Sequence, residues 1–402
     1  MFLRRIPRQV RPTPAPTVKG FAVLTGIEAM ARGMLVSVFP IAMYKALGDA
    51  ETVSEVYFMI GLFSLTSTLL TPWVARAVPR RYLFSTAVLL NVAGVASVMS
   101  GDPLFVPIGL ALNMVGVAIL SIALNAYVLD YVERHNLSAC ETQRLFYSGA
   151  AWTIGPYFGI WLFDLWSPAP FLLSIAASVV LLAVFWVMRL GDGKAIRKAT
   201  SKPTNPLAFL PRFLEQPRLI AGWLFAVLRS CGWWFYIVYL PIYAVEAGLS
   251  EQIGGITLSV TNGLLFTAPF ILKWIQSRSI RFAVRFGFTA SATFFVAAML
   301  LNAMPWVTIA LLMLASFFLI VLDVCGGLPF LMAVKPSERT EMSAIYATYR
   351  DVSGILTPGA ARLVLFAGPL PAVFGIAAMG LMTAALIAGR LHPRLGQRKL
   401  EG

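Results

Sequence analysis

The chain is poor in the residues that make a water-facing surface. Only 12% of its 402 residues are Asp, Glu, Lys or Arg, against 58% hydrophobic, whereas soluble domains carry about 25% charged residues. A single core stops growing at roughly 250–300 residues and still needs a polar shell. The 18 acidic and 32 basic side chains cannot supply one, so a water-soluble fold is excluded and lipid is the expected surroundings. Histidine is nearly lacking: His135 and His392 are the only two, and both fall outside the apolar runs. Neither is therefore expected to serve a metal or a proton inside a membrane. Cysteine is scarce as well. Cys140, Cys231 and Cys325 sit in unrelated contexts with no C-x-x-C pair, which excludes a disulfide framework.

What the chain has instead is long apolar runs. A helix needs about 20 mostly apolar residues to cross a hydrocarbon core. Windows of that kind occur at 20–46, 54–75, 83–100, 104–130, 144–165, 169–189, 219–246, 253–273, 283–302, 307–333, 343–366 and 371–390. Runs this long are helices, because membrane strands are shorter and alternate. The expected fold is an all-α membrane protein of twelve transmembrane helices in two pseudo-symmetric six-helix bundles. Its expected parts are a basic N-terminus (1–19), a first bundle (20–189), a linker (190–218), a second bundle (219–390) and a tail (391–402).

The net charge of +14 does not point to nucleic acid, since the basic residues lie between apolar spans rather than on one folded polar face. It is a topology signal. Alternate connections hold 27 of the 32 Lys and Arg residues, including Arg4, Arg80, Arg144, Lys194, Arg278, Lys335 and Arg394. By the positive-inside rule both termini are cytoplasmic. Lys45 and Arg362 fall near the opposite side. The first 19 residues are basic and Pro-rich without an apolar stretch of their own, so a cleavable signal is not expected.

The halves repeat at an offset near 200. Phe39-Pro40-Ile41 recurs as Leu240-Pro241-Ile242, the Pro72 to Val78 stretch as Pro269 to Ile275, and Pro156 as Pro358. With these features the chain resembles the major facilitator superfamily, which implies two six-helix halves, both termini inside and transport by alternating access. The loop motif of that family, Gly-x-Leu-Ala-Asp-Arg-x-Gly-Arg-Arg, survives in Ala75, Arg80 and Arg81, but Arg76 stands where the family has Asp. Gly155-Pro156-x-x-Gly159 resembles the Gly-Pro element of the fifth helix.

Such repeats place a substrate site at the midplane between the halves, and ionisable residues inside spans face a cavity or a partner. Those residues are Glu28, Arg32, Arg229, Asp323, Arg350 and Asp351, and they are the candidates for coupling or gating. Glu28 and Arg32 are one turn apart and pair. Arg229 repeats the place of Glu28 with opposite charge, which predicts a contact between halves. Asp323, just before Cys325-Gly326-Gly327, is the candidate proton carrier, with Arg350 as its expected partner. In the seventh span Trp233, Tyr236, Tyr239 and Tyr243 recur every three or four residues and form an expected aromatic stripe. Tyr346 and Tyr349 add a second pair, with Tyr147 and Trp152 in the counterpart span. A wall of rings with a few hydrogen-bonding groups suits a flat heterocycle. Arg229, Asn125 and Asn262 are the expected polar contacts, the two amides alternatively acting as glue between helices.

Met30 and Met34 have the one-turn spacing of a cuprous site, but no second pair faces them, so no metal and no cofactor is expected. The Leu-Pro-Ile-Tyr element, the Trp-rich seventh span and Tyr349-Arg350-Asp351 are similar to a bacterial branch of copper importers and riboflavin transporters. The copper members carry Met-x-x-x-Met and His-x-x-x-Met in helices seven and eight, where this chain has Trp233 to Ile237 and Thr261 to Leu265. The resemblance therefore implies riboflavin import across a bacterial inner membrane by a single copy of the chain. A drug or metabolite exporter is the alternative. No constellation of nucleophile, base or metal ligands suggests an enzyme.

Overall fold

The computed structural model describes residues 18–132, 137–188, 210–325, 330, 333–334, 342 and 345–390. The side chains at 68–69, 71–77, 80, 126, 129–130, 137–139, 142 and 276 stand outside that description, as do both histidines, Arg76 of the loop motif, Gly326 and Gly327.

Every regular element among the described residues is a helix, because lipid offers the backbone no partner and a helix satisfies its own. They run α1 (Val18–Gly33), α2 (Val38–Leu47), α3 (Ala50–Ala77), α4 (Arg80–Met99), α5 (Phe105–Tyr131), α6 (Leu137–Leu165) and α7 (Ala169–Val187) in the first half. The second half has α8 (Leu210–Leu214), α9 (Pro217–Trp234), a π-helical turn (Phe235–Tyr239), α10 (Leu240–Glu246), α11 (Gln252–Leu264), a 3₁₀ turn (Leu265–Thr267), α12 (Ala268–Gln276), α13 (Ile280–Leu300), α14 (Pro305–Cys325), α15 (Tyr349–Leu365) and α16 (Ala372–Ala388). These are consistent with twelve crossings, six in each half. Among the described residues, eight helices are long and apolar enough to cross a membrane, the longest being Val18–Leu47 and Pro217–Glu246 at 30 residues each.

Two of the crossings are irregular at matching places. The first is broken by a turn at 34–37 between α1 and α2, and the seventh widens into the π turn between α9 and α10. Both interruptions lie just before the repeated x-Pro-Ile element, and irregular backbone at this depth is tolerated where it is buried in protein or lines a cavity.

The halves meet along two helix pairs, α3 with α15 and α6 with α11. Small residues permit this approach. A Cβ at Gly61 of α3 would lie 2.8 Å from the Gly354 carbonyl oxygen of α15. One at Gly255 of α11 would collide with Ile160 of α6 and stand 2.8 Å from the Pro156 carbonyl oxygen. Within the first half, Gly155 and Gly159 let α6 lie against the break in the first crossing. A Cβ at Gly155 would be 2.7 Å from the Gly33 carbonyl carbon, and one at Gly159 would overlap the Met34 carbonyl oxygen. The Gly-Pro element is thus a seat for the broken helix.

Fully buried rings such as Phe84, Phe185, Phe288, Phe295 and Phe374 fill the two bundles. Outward rings and aliphatics such as Phe270, Leu363 and Val187 stay exposed, as expected of a surface wetted by acyl chains.

The seat yields a test. Gly159→Ala should lower the thermal midpoint of the purified protein, because the added methyl meets fixed backbone. Gly149→Ala, one helix position with open space around it, should leave it unchanged or raise it, since Ala is favoured over Gly in a helix by about 1 kcal/mol. Equal midpoints for the two variants would dismiss the close packing at Gly159.

Candidate substrate cavity

Between the halves lies a cavity of about 830 Å³, within the size range of small-molecule sites. Four crossings supply most of its wall. On α5 the lining residues are Leu110, Asn113, Met114, Val117, Ala118, Ser121, Ile122 and Asn125, a single helical face at intervals of three and four. The seventh crossing lines it with Arg229, Ser230, Trp233, Trp234, Ile237 and Val238. This set advances in steps of three and four from the end of α9 into the π turn. The broken first crossing adds Arg32, Leu35, Val36, Phe39 and Pro40, and α3 adds Tyr57 and Ser64.

Following these helices from the terminal end of the molecule toward the distal one divides the cavity in two. Arg32, Arg229, Asp323, Arg350 and Asp351 lie toward the terminal end. Phe39, Tyr57, Trp234, Ile237 and Val238 lie deeper, and Tyr57 meets Trp234 edge to face at 6.3 Å between ring centroids. The site is therefore polar where it begins and aromatic where it stops.

The charged groups are engaged with one another. Arg229 Nε lies 3.0 Å from Asp323 Oδ1, an ion pair whose N–H is not aimed for a hydrogen bond. Trp233 Nε1 donates to the other carboxylate oxygen at 2.8 Å. The Arg229 guanidinium also lies 5.7 Å from the centre of the Tyr349 ring, and Arg350 lies 5.6 Å from the same centre while its Nε donates to the Tyr349 hydroxyl at 3.1 Å. Glu28 accepts from Arg32 Nη1 at 2.7 Å, and that guanidinium sits 5.5 Å from the Trp152 ring centre. Two sequence expectations are corrected here. Arg229 makes no pair with Glu28, because Glu28 is already bound by Arg32 one turn away; it reaches Asp323 on the neighbouring α14 instead. Arg350 turns to Tyr349 and not to Asp323.

The aromatic stripe also divides. Trp233 lines the cavity, but Tyr236 is fully buried, its hydroxyl 2.7 Å from Thr261 Oγ1 on α11. Tyr239 is 1% exposed and bonds Ser54 Oγ of α3 at 2.8 Å, across the halves. Tyr346 stacks on Phe330 at 4.2 Å in a separate apolar cluster, while Tyr349 lines the cavity. Tyr243 donates to the Asn302 carbonyl at 2.9 Å. Of the amides, Asn125 lines the cavity and accepts from Arg144 at 2.9 Å, and Asn262 donates to the Trp152 carbonyl at 2.9 Å as a tie between halves. Met34 is fully buried against the seat formed by α6. No group of three or more potential metal ligands occurs among the described residues. Sequence reasoning passed over Asn113, Trp234, Tyr57 and Phe39. Nothing in the sequence marks which face of so apolar a helix as α5 looks inward.

At the distal end, bonds across the halves close the cleft. Lys45 pairs with Glu251 at 2.6 Å, Tyr44 donates to Glu246 at 3.1 Å, and Gln252 donates to Asp164 at 2.8 Å. Arg362 of α15 binds Glu51 and, at 3.3 Å, Glu55 of α3.

Comparison with known proteins agrees with this architecture. The nucleoside transporter NupG superposes with a TM-score of 0.70 at 12% identity, covering 93% of this chain and 99% of that one. A POT family transporter in complex with 5-aminolevulinic acid gives 0.74 at 12% identity, over 92% and 94%. A bacterial homologue of the iron transporter ferroportin, in an inward-facing state, gives 0.69 at 14% identity, over 93% and 97%. At such identities the likeness is one of fold. No curated protein sequence matches the chain. The sequence model of the Major Facilitator Superfamily matches residues 21–358. A multi-pass membrane transporter and not an enzyme, the chain belongs to the Major Facilitator Superfamily.

Proposed function

We propose that this transporter carries riboflavin, or a related flat heterocycle with a polar tail, inward across a bacterial cytoplasmic membrane by alternating access. The observation that carries this reading is the division of the cavity, with Phe39, Tyr57 and Trp234 at its deep end and paired charges toward the terminal end. A planar ring stacks or meets edges among such side chains, each contact contributing about 0.5–1.5 kcal/mol beyond area burial. Hydroxyls on a tail then meet Arg229, Asp323 and Asn125. Trp233 serves both zones, since its ring lines the cavity while its N–H holds Asp323.

The charges favour an uncharged cargo. Arg32, Arg229 and Arg350 are balanced by Glu28, Asp323 and Asp351, and a cargo with net charge would leave one buried charge uncompensated, which is costly. With both termini cytoplasmic, as the Lys and Arg distribution predicts, the distal bonds of Lys45 and Arg362 close the external side and the cavity is the inward-facing one. A single copy contains the whole site.

Two experiments test the reading. Expressed in a riboflavin-auxotrophic bacterium, the chain should support growth on low external riboflavin and take up the labelled vitamin. Trp234→Ala should cut uptake about ten-fold or more at equal membrane abundance, as expected for loss of a central aromatic anchor. Uptake no better than vector, with protein confirmed in the membrane, would reject riboflavin. For coupling, uptake by the wild type should rise as external pH falls, and Asp323→Asn should flatten that profile, because an amide still accepts from Trp233 but carries no exchangeable charge. An identical profile in the variant would discard Asp323 as the proton carrier.

A further inference from the structure

Asn113 of α5 lines the cavity although it is only 7% exposed. Its side chain is held from behind. Helices α4 and α5 lie backbone to backbone: a Cβ at Gly116 would stand 2.8 Å from the Ala87 carbonyl oxygen, and one at Gly94 would stand 2.7 Å from the Asn113 backbone nitrogen. This approach sets Asn91, 3% exposed, beside Asn113. Asn113 Nδ2 donates to Asn91 Oδ1, and Asn91 Nδ2 donates to Ser178 Oγ of α7 at 3.2 Å. Asn91 therefore uses one of its two N–H donors on Ser178 and its carbonyl oxygen on Asn113. That bond occupies the Nδ2 of Asn113, and its Oδ1 accepts no hydrogen bond from the described residues while the residue borders the cavity. An acceptor open to the cavity, on a wall otherwise built there from Leu110, Met114, Val117 and rings, is placed to take a hydrogen bond from a cargo that displaces solvent from it.

We propose that Asn113 is a specificity-determining residue, whose Oδ1 accepts a hydrogen bond from a ring N–H of the cargo. The cargo class is then narrower than flat heterocycles: it is those with an amide or imide N–H on the ring edge, such as isoalloxazine or uracil-type rings. This rests on the planar-ring reading above and deepens it. Asn91 and Ser178 touch no cargo and act as positioning residues. Methylating that ring nitrogen replaces the donor with an apolar group and leaves Oδ1 unpaired. A site built on a hydrogen bond rejects such an analogue far more strongly than an apolar pocket rejects an extra methyl.

The test uses the purified full chain in lipid nanodiscs, with quenching of tryptophan fluorescence as the binding signal. The probes are riboflavin with 3-methylriboflavin, and uridine with 3-methyluridine. In the wild type at least one N–H probe should bind about ten-fold or more tighter than its methylated partner. In Asn113→Ala the two members of that pair should differ by less than about two-fold, since the discriminating acceptor is gone. The ratio is read within one protein, so it does not depend on how much of the variant folds. Asn113→Ser, which keeps a donor for Asn91 but ends short of the cargo, should behave as the alanine variant does. Trp234→Ala should weaken both members and keep their ratio. A ratio unchanged in both Asn113 variants overturns the role of Asn113 and leaves the planar-ring reading standing. A wild type that binds none of the four probes overturns both.

Discussion

Inside a bilayer no water is available to complete a hydrogen bond or soften a charge, and that constraint organises the whole molecule. It makes every described element a helix. It also brings ionisable side chains of the spans to the cleft between the halves, where Arg32 meets Glu28 and Arg229 meets Asp323. Exposed positions are surrendered to apolar groups such as Phe270 and Leu363. Polar groups elsewhere at this depth, such as Asn91 with Ser178 and Tyr236 with Thr261, satisfy one another inside a bundle, whereas those of the cleft border an open cavity.

The same constraint explains why the two irregular stretches matter. Breaking a helix in lipid exposes backbone, so the break at 34–37 is covered by α6 through Gly155 and Gly159, and the π turn is enclosed by buried Phe235, Tyr236 and Tyr239. What the irregularity provides is direction. The paired breaks bring Phe39 and Trp234, from opposite halves, to one end of one cavity.

Much of this was legible in the sequence. The spans, the two halves and the pairing of Glu28 with Arg32 follow from apolar run length, the repeat and one-turn spacing, all local properties. The partners of Arg229 and Arg350 were not legible, because they depend on which helices are neighbours: α9 lies beside α14 in the same half, so Asp323 is within reach and Glu28 is not. The fates of Tyr236 and Tyr239 were hidden for a different reason. A count in steps of three and four assumes an α-helix, and the π turn adds a residue to the loop, turning Tyr236 toward Thr261 and Tyr239 toward Ser54. Asn113 escaped because its significance lies in Asn91 and Ser178, two other helices away.

The bonds that close the distal end are of a different kind from those in the cavity. Lys45, Glu251, Glu51, Glu55 and Arg362 are all partly exposed, and ion pairs open to solvent contribute about 0–1 kcal/mol each. Several weak pairs make a closure that can be reversed, which a carrier rocking about a central site requires. Arg229 is more deeply held than any of these, and leaving it without Asp323 or a replacement is costly. On the function proposed above, a cargo that reaches Asp323 and the Trp233 ring together would supply that replacement. Under that proposal, occupancy of the cavity and the state of this pair would be linked through one indole, because the Trp233 ring lines the cavity while its N–H holds the Asp323 carboxylate.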